Sequence, residues 1–220
     1  MKALTHILVG AVALAAAGTA AAQAARAPAT MEAFKPLYLG GSIGVTNFDL
    51  SNSDFPDNIT INGVTASSTR DDQSTGYQAF GGWRFNKYLA VEGGYTWLGE
   101  AKVQYTAPGA FADVTYKDQA WTLAGMGTLP LDYGLSLFGQ MGVAWHYTKT
   151  QVSGQAGALP ISDGATDNRA GFLWGVGAGW DFNPSVGLRM QYQNFGNAGS
   201  SSNTGSSNPN LFSGSVIVRF

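Results

Sequence analysis

Few side chains in this sequence are equipped for chemistry, and the places where they fail to gather are informative. The 220 residues contain no cysteine and two histidines, His6 and His146. A barrel lipase or deacylase needs a nucleophile, a base and an orienting group within hydrogen-bond reach. His146-Tyr147-Thr148 has no serine at a useful in-register position on its own strand, so no catalytic residue is assigned. No His/Cys cluster has metal-ligand spacing, and Asp54, Asp57, Asp71 and Asp72 read as a solvated acidic loop rather than a cation site. Glycine runs such as Gly175-Val176-Gly177-Ala178-Gly179 open no helix and cradle no phosphate. Neither metal nor cofactor is expected. Two opposite charges remain, Glu92 and Arg189, each on an alternating segment and each on its small, polar face.

The segments that carry them are strands. In Leu89–Leu98 the residues Leu89, Val91, Gly93, Tyr95 and Trp97 share one face and Ala90, Glu92, Gly94 and Thr96 the other, because strand side chains alternate with period two. The same pattern recurs at about 37–50, 76–86, 88–100, 119–129, 135–148, 170–182, 186–195 and in a last strand ending at Phe220. One face is aliphatic and aromatic throughout. The opposite face is small or polar and includes Ser42, Met126, Gln140 and Gly179. Eight strands of roughly ten residues have the length a tilted strand needs to cross the hydrocarbon core. Tight turns at Asn86-Lys87, Pro130–Gly134 and Asn183-Pro184-Ser185 alternate with long polar stretches at 51–75, about 101–118, 149–169 and 196–210. Aromatics gather toward strand ends, as in membrane-interface girdles. The expected fold is all-β, an eight-stranded antiparallel up-and-down transmembrane β-barrel; a soluble lipocalin-like barrel would need an apolar cavity where these faces are small and polar.

Composition agrees. Only 12% of residues are charged and 30 are glycine, half and about double the usual shares. Residues 1–22 combine Lys2, an apolar run from Ile7 to Ala17 and Ala20-Ala21-Ala22, the layout of a secretory signal peptide. Residues 23–36 are Ala/Pro-rich and read as a periplasmic lead-in, and 37–220 as the barrel. Lys2 is the only charged residue in the signal, so the mature chain carries a net charge of −3, too weak to argue for nucleic acid. An exported chain without disulfides must be held by something else, and a closed hydrogen-bonded ring serves.

The stretch from Ala79 to Gly99, through Ala79-Phe80-Gly81-Gly82, Asn86, Tyr88, Glu92, Gly94-Tyr95 and Trp97-Leu98-Gly99, resembles the second and third strands of the OmpA-type outer-membrane barrel family. Asn183-Pro184 to Tyr192-Gln193, with Arg189, resembles its sixth-to-seventh turn and seventh strand. The resemblance spans about 37–220 and implies a Gram-negative outer-membrane location among lipid and lipopolysaccharide. It also implies assembly through the terminal strand, whose Phe220 is similar to the ending recognised by the outer-membrane assembly machinery. The family's interior resembles a ladder of alternating charges; here Glu92 and Arg189 match it, while Ser42, Met126, Gln140 and Gly179 stand where charges are usual. No peptidoglycan-binding domain is expected in this chain, because the sequence ends directly after the eighth strand.

Glu92 and Arg189 have two readings. As a gate they would block or open a narrow water path; as a structural ion pair they would be inert, since eight-stranded interiors are only just wide enough for side chains. Asp181 and Arg219 also face inward, near the periplasmic rim. The expected function is a non-enzymatic envelope protein with at most a narrow, porin-like pore. The alternative is a surface-interaction protein whose long loops bind a partner, with Tyr105, Phe111 and Tyr116 as aromatic anchors.

Overall fold

The computed structural model describes residues 34–50, 58–61, 64–107, 110–156, 159–200 and 205–220. Eight long strands follow in order: β1 (Leu37–Leu50), β2 (Gln73–Arg84), β3 (Leu89–Ala107), β4 (Ala110–Pro130), β5 (Leu135–Ala156), β6 (Leu159–Asn183), β7 (Val186–Asn194) and β8 (Gly205–Arg219). Each pairs antiparallel with the next. The ring closes where β8 meets β1, in register from Tyr38↔Arg219 to Leu50↔Ser207. This is the expected eight-stranded barrel. The signal segment 1–22, most of the lead-in 23–36, and Asp54 and Asp57 lie outside the described residues.

Alternation sorts the side chains as period two requires. Leu39, Leu123, Met141, Phe172, Val176 and Met190 stand outward with between 51% and 67% of their surface exposed, an aliphatic belt that water would penalise and lipid does not. Tyr38, Gln78, Glu92, Met126, Gln140 and Arg189 stand inward and are buried. At the tight-turn end two asparagines use one device. Asn86 Oδ1 accepts from the backbone N–H of Tyr88 and Leu89 at 2.7 and 2.9 Å, and Asn183 Oδ1 from Ser185 and Val186, both at 2.8 Å. Such side chains close a turn without a further residue.

At the opposite end the structure corrects the loop boundaries. The polar stretches 101–118 and 149–169 are largely strand, not loop. β3 and β4 stay paired from Gly99↔Asp118 to Ala107↔Ala110, and β5 and β6 from Lys149↔Thr166 to Ala156↔Leu159. Val64–Asp71 likewise carries β2 onward beside β3, and Ala198–Ser200 pairs with β8. The polar residues that suggested loops lie mainly on the outward face of an extension that leaves the membrane. Its inward positions Val103, Tyr105 and Tyr116 are apolar or aromatic and buried. A bulge between Trp97 and Gly99 permits this. Gly99 takes φ +95, and a Cβ there would lie 2.2 Å from Ser74 Oγ, so a side chain is excluded. Leu98 continues the inward series of Glu92 and Thr96, and the bulge then shifts the alternation, which places Ala101 and Val103 inside and Lys102 outside.

Met141, midway between Leu135 and Tyr147 on the outward face of β5 and 67% exposed, tests which environment this surface meets. Met141→Arg is expected to lower folding stability in lipid vesicles by about 2–4 kcal/mol, read by urea titration; an unchanged midpoint would remove the outward face from lipid.

Candidate functional site: a lumenal ion pair in an aromatic cage

Going outward along each strand's inner face, chemistry changes in one order. β1 presents Tyr38, then Ser42 and Thr46, then Phe48 and Leu50; β3 presents Glu92, Thr96, Leu98 and Val103; β7 presents Arg189, Gln191 and Gln193, followed by Phe195. The lumen is therefore layered: a charged cage, an amide and hydroxyl layer, and an apolar core.

The cage brings together residues far apart in sequence. Arg189 Nη1 donates to Glu92 Oε2 at 2.8 Å, and Tyr38 Oη donates to the same oxygen at 2.9 Å. Arg189 Nη2 lies 3.8 Å from Met126 Sδ. The guanidinium carbon sits 4.8 Å from the Phe138 ring centre, 5.1 Å from Phe80 and 5.8 Å from Tyr38. Each such ring contributes about 0.5–2 kcal/mol of attraction to a desolvated cation. Arg189 is therefore held from three sides as well as by its carboxylate. Both charges lie on the inward face, where alternation puts them. Alternation misses Tyr38, Phe80 and Phe138, because it shows which face a residue takes but not which residues of that face meet across the ring. Toward the tight-turn end a cavity of about 160 Å³ reaches Arg189, bordered by Gly179, Asp181 and Arg219. Arg219 Nη2 donates to Asp181 Oδ1 there at 2.6 Å, so these two rim charges are paired.

Above the cage, Gln191 Nε2 donates to Gln78 Oε1 at 3.1 Å and to Gln193 Oε1 at 2.9 Å. Ser42 Oγ approaches Gln78 Oε1 at 3.4 Å. Gln140 Nε2 and the hydroxyls of Thr96, Ser213 and Ser215 are buried without a protein partner, so this layer can take up water. Beyond it the wet interior expected from sequence ends. Phe48, Leu98, Leu173, Phe195 and Leu211 are all at most 1% exposed and pack as one cluster, with the Phe48 and Tyr116 rings edge to face at 5.8 Å. Tyr105 and Tyr116, expected as loop anchors, belong to this core; Phe111 alone of the three is exposed.

His146 points inward as expected, but to a structural task. Its Nδ1 lies 2.8 Å from Asp118 Oδ2 and its Nε2 2.9 Å from the Phe195 carbonyl, while Thr148 Oγ1 donates to Asp118 Oδ1 at 3.0 Å. A carboxylate and a carbonyl only accept, so both bonds are satisfied when both ring nitrogens carry protons. The histidine thereby ties the segment after β7 to the wall of β4. Asp118 was missed because it fell in a stretch read as loop.

A closed antiparallel ring with an aliphatic belt, aromatic girdles and a narrow polar lumen is an outer-membrane β-barrel of Gram-negative type. The chain belongs to the family of the OmpA-like transmembrane domain, whose pattern matches residues 32–220. It is 28% identical to outer membrane protein A of Escherichia fergusonii over 185 residues, 83% of this chain and 48% of that one. To outer membrane protein A of Salmonella typhi it is 30% identical over 148 residues, 66% of this chain and 40% of the relative. The chain thus spans about half the length, or less, of these curated relatives. In architecture it is similar to the crystal structure of Neisserial surface protein A, with a TM-score of 0.53 at 14% identity, covering 84% of this chain and 97% of that one.

Two outcomes follow from the geometry. Glu92→Gln leaves Arg189 buried without its counter-ion and is expected to cost about 3–5 kcal/mol in vesicle unfolding, with Glu92→Gln/Arg189→Met recovering most of it; equal costs for the single and double variants would show that the pair does not act as a unit. His146→Leu is expected to speed amide exchange at Phe195, whose N–H donates to the Pro209 carbonyl at 3.0 Å, by at least about tenfold, corresponding to loss of roughly 1.4 kcal/mol of local protection.

Proposed function

We propose that this protein is a non-enzymatic structural barrel of the outer membrane whose lumen is held shut, with Glu92 and Arg189 as the inner lock and the apolar core as the outer plug. The observation that carries this reading is the double closure: a desolvated ion pair clasped by three rings, and beyond it a cluster of fully buried apolar side chains. Uncharged side chains at Ser42 and Gln140 leave the middle of the lumen hydratable yet sealed at the outer end, while Met126 stands in the cage and Gly179 borders the cavity at the tight-turn end. A non-enzymatic role is supported by His146, whose two nitrogens are both engaged by structural partners. Export through residues 1–22, recognition of the Phe220 strand by the assembly machinery, and residence among lipid and lipopolysaccharide complete the proposal. The alternative of an adhesion protein has less support, because burial of Tyr105 and Tyr116 removes two of its three anchors.

Planar-bilayer recording tests the lock. The mature chain and Glu92→Ala are both expected to be silent, since the plug remains. Glu92→Ala combined with Phe48→Ala and Leu98→Ala is expected to give discrete steps. Openings in the unsubstituted chain that change with Glu92→Ala would make it a gated pore instead.

A further inference from the structure

The outward surface above the aliphatic belt is not uniform around the ring. Tyr95, Trp121 and Trp145 are direct cross-strand neighbours on β3, β4 and β5, and the next position of that row, on β6, is Ala170. One step further from the belt, Trp97, Gln119, Tyr147 and Asn168 stand opposite one another. Where the aromatic row ends at Ala170 the surface is notched. The cleft has a volume of about 530 Å³, and its lining includes Tyr95, Gln119, Trp121, Trp145, Asn168 and Ala170. Trp121 is 64% exposed, and Tyr95 Oη donates to Gln119 Oε1.

The next outward row is basic. Glu100, Lys117 and Lys149 face each other across β3, β4 and β5, and Lys102 follows on β3. Glu100 lies 3.1 Å from both Lys102 and Lys117, whose hydrogen bonds, that of Lys102 foremost, hold its carboxyl below the usual range. Ionised, it offsets one lysine. Lys149 pairs with no carboxylate among the described residues. Asp118, Asp167 and Arg169 occupy inward positions on their strands, and Arg169 Nη1 donates to the Gly199 carbonyl at 3.1 Å. On the far side of the ring, the outward residues of β1 at this end are Asn47 and Asp49. Among the residues whose side chains are described, the outward lysines at this end thus stand on β3, β4 and β5, beside the cleft.

Belt, indoles, amides and ammonium groups form a sequence along the membrane normal. It is complementary to an amphiphile with acyl chains, then sugar rings, then phosphates. Sugar C–H faces suit exposed indole, hydroxyls suit the amides of Gln119 and Asn168, and phosphates suit Lys117 and Lys149. We propose that the cleft across β4, β5 and β6 is a binding site for one molecule of lipopolysaccharide of the surrounding outer leaflet. The site is continuous with the lipid-facing belt, so its ligand arrives by lateral diffusion with acyl chains already in place. This rests on the proposed function, which puts the plug, and with it the β3–β4 and β5–β6 hairpins, at the outer end of the barrel.

Native mass spectrometry of the mature chain, refolded in detergent with rough lipopolysaccharide, reads the site directly. One retained lipopolysaccharide is expected. Lys117→Gln/Lys149→Gln should weaken retention by roughly 30-fold, from about 1 kcal/mol for each lysine near an anionic headgroup. Ala170→Trp, which fills the notch with the cationic residues intact, and dephosphorylated lipopolysaccharide should each weaken it as well. Heat-modifiable gel mobility verifies that every variant is folded. Retention unaltered in both variants, equal retention of phosphatidylglycerol, or no retention by folded protein would overturn the site. The orientation is read separately: the chain has no cysteine, so Lys149→Cys on intact cells reacts with a membrane-impermeant maleimide if the hairpins are outside. Labelling without retention refutes the cleft alone, whereas failure to label refutes the orientation.

Discussion

Closure of the hydrogen-bonded ring is the constraint on which the rest depends. In hydrocarbon no water is present to satisfy a free backbone N–H or C=O, so a sheet can cross only if its last strand finds its first. Here β8 returns to β1 over the whole length from Tyr38↔Arg219 to Leu50↔Ser207. Eight strands then fix the bore, and the bore fixes how large the inward side chains can be. Charged, aromatic and glycine residues share the interior because each long side chain needs a small neighbour. A Cβ at Gly82 would fall 2.3 Å from the Tyr38 ring, and one at Gly177 2.4 Å from Phe138, so these glycines make room for two walls of the cage around Arg189.

Inside that bore the cage and the core use different physics to the same effect. The Glu92–Arg189 pair is desolvated, and leaving either charge alone there is far costlier than the net gain from the pair. Three aromatic rings and the Tyr38 hydroxyl lower the cost of burying it. The outer core is closed by apolar packing that needs no charge, built on strands that run well beyond the membrane. The His146–Asp118 pair fastens the segment after β7 over this core. The outer half of the molecule is thus a small hydrophobic domain erected on the barrel. Its outward face is free to carry polar and basic residues.

Much of this was legible in the sequence. Period-two alternation gave the strands, their faces and the inward placement of Glu92, Arg189, Gln140 and His146. Tight turns at Asn86 and Asn183 were legible because a short turn demands a residue that can bond its own backbone. The extensions of β3 to β6 were not, because Ser, Asp and Gly on an exposed strand face look the same as in a loop. The bulge at Gly99 also breaks the alternation where it would have disclosed the continuation.

By itself the sequence determined the class of protein: alternating strands of membrane-crossing length with the apolar face outward admit a closed barrel, and the family pattern runs through the whole of it. Tertiary structure alone decided which lumenal residues meet. Which inward residues meet depends on strand stagger around the ring, a property of closure that no single strand encodes. That stagger puts Arg189 of β7 against Glu92 of β3 and the rings of β1, β2 and β5, which no single strand's pattern brings together.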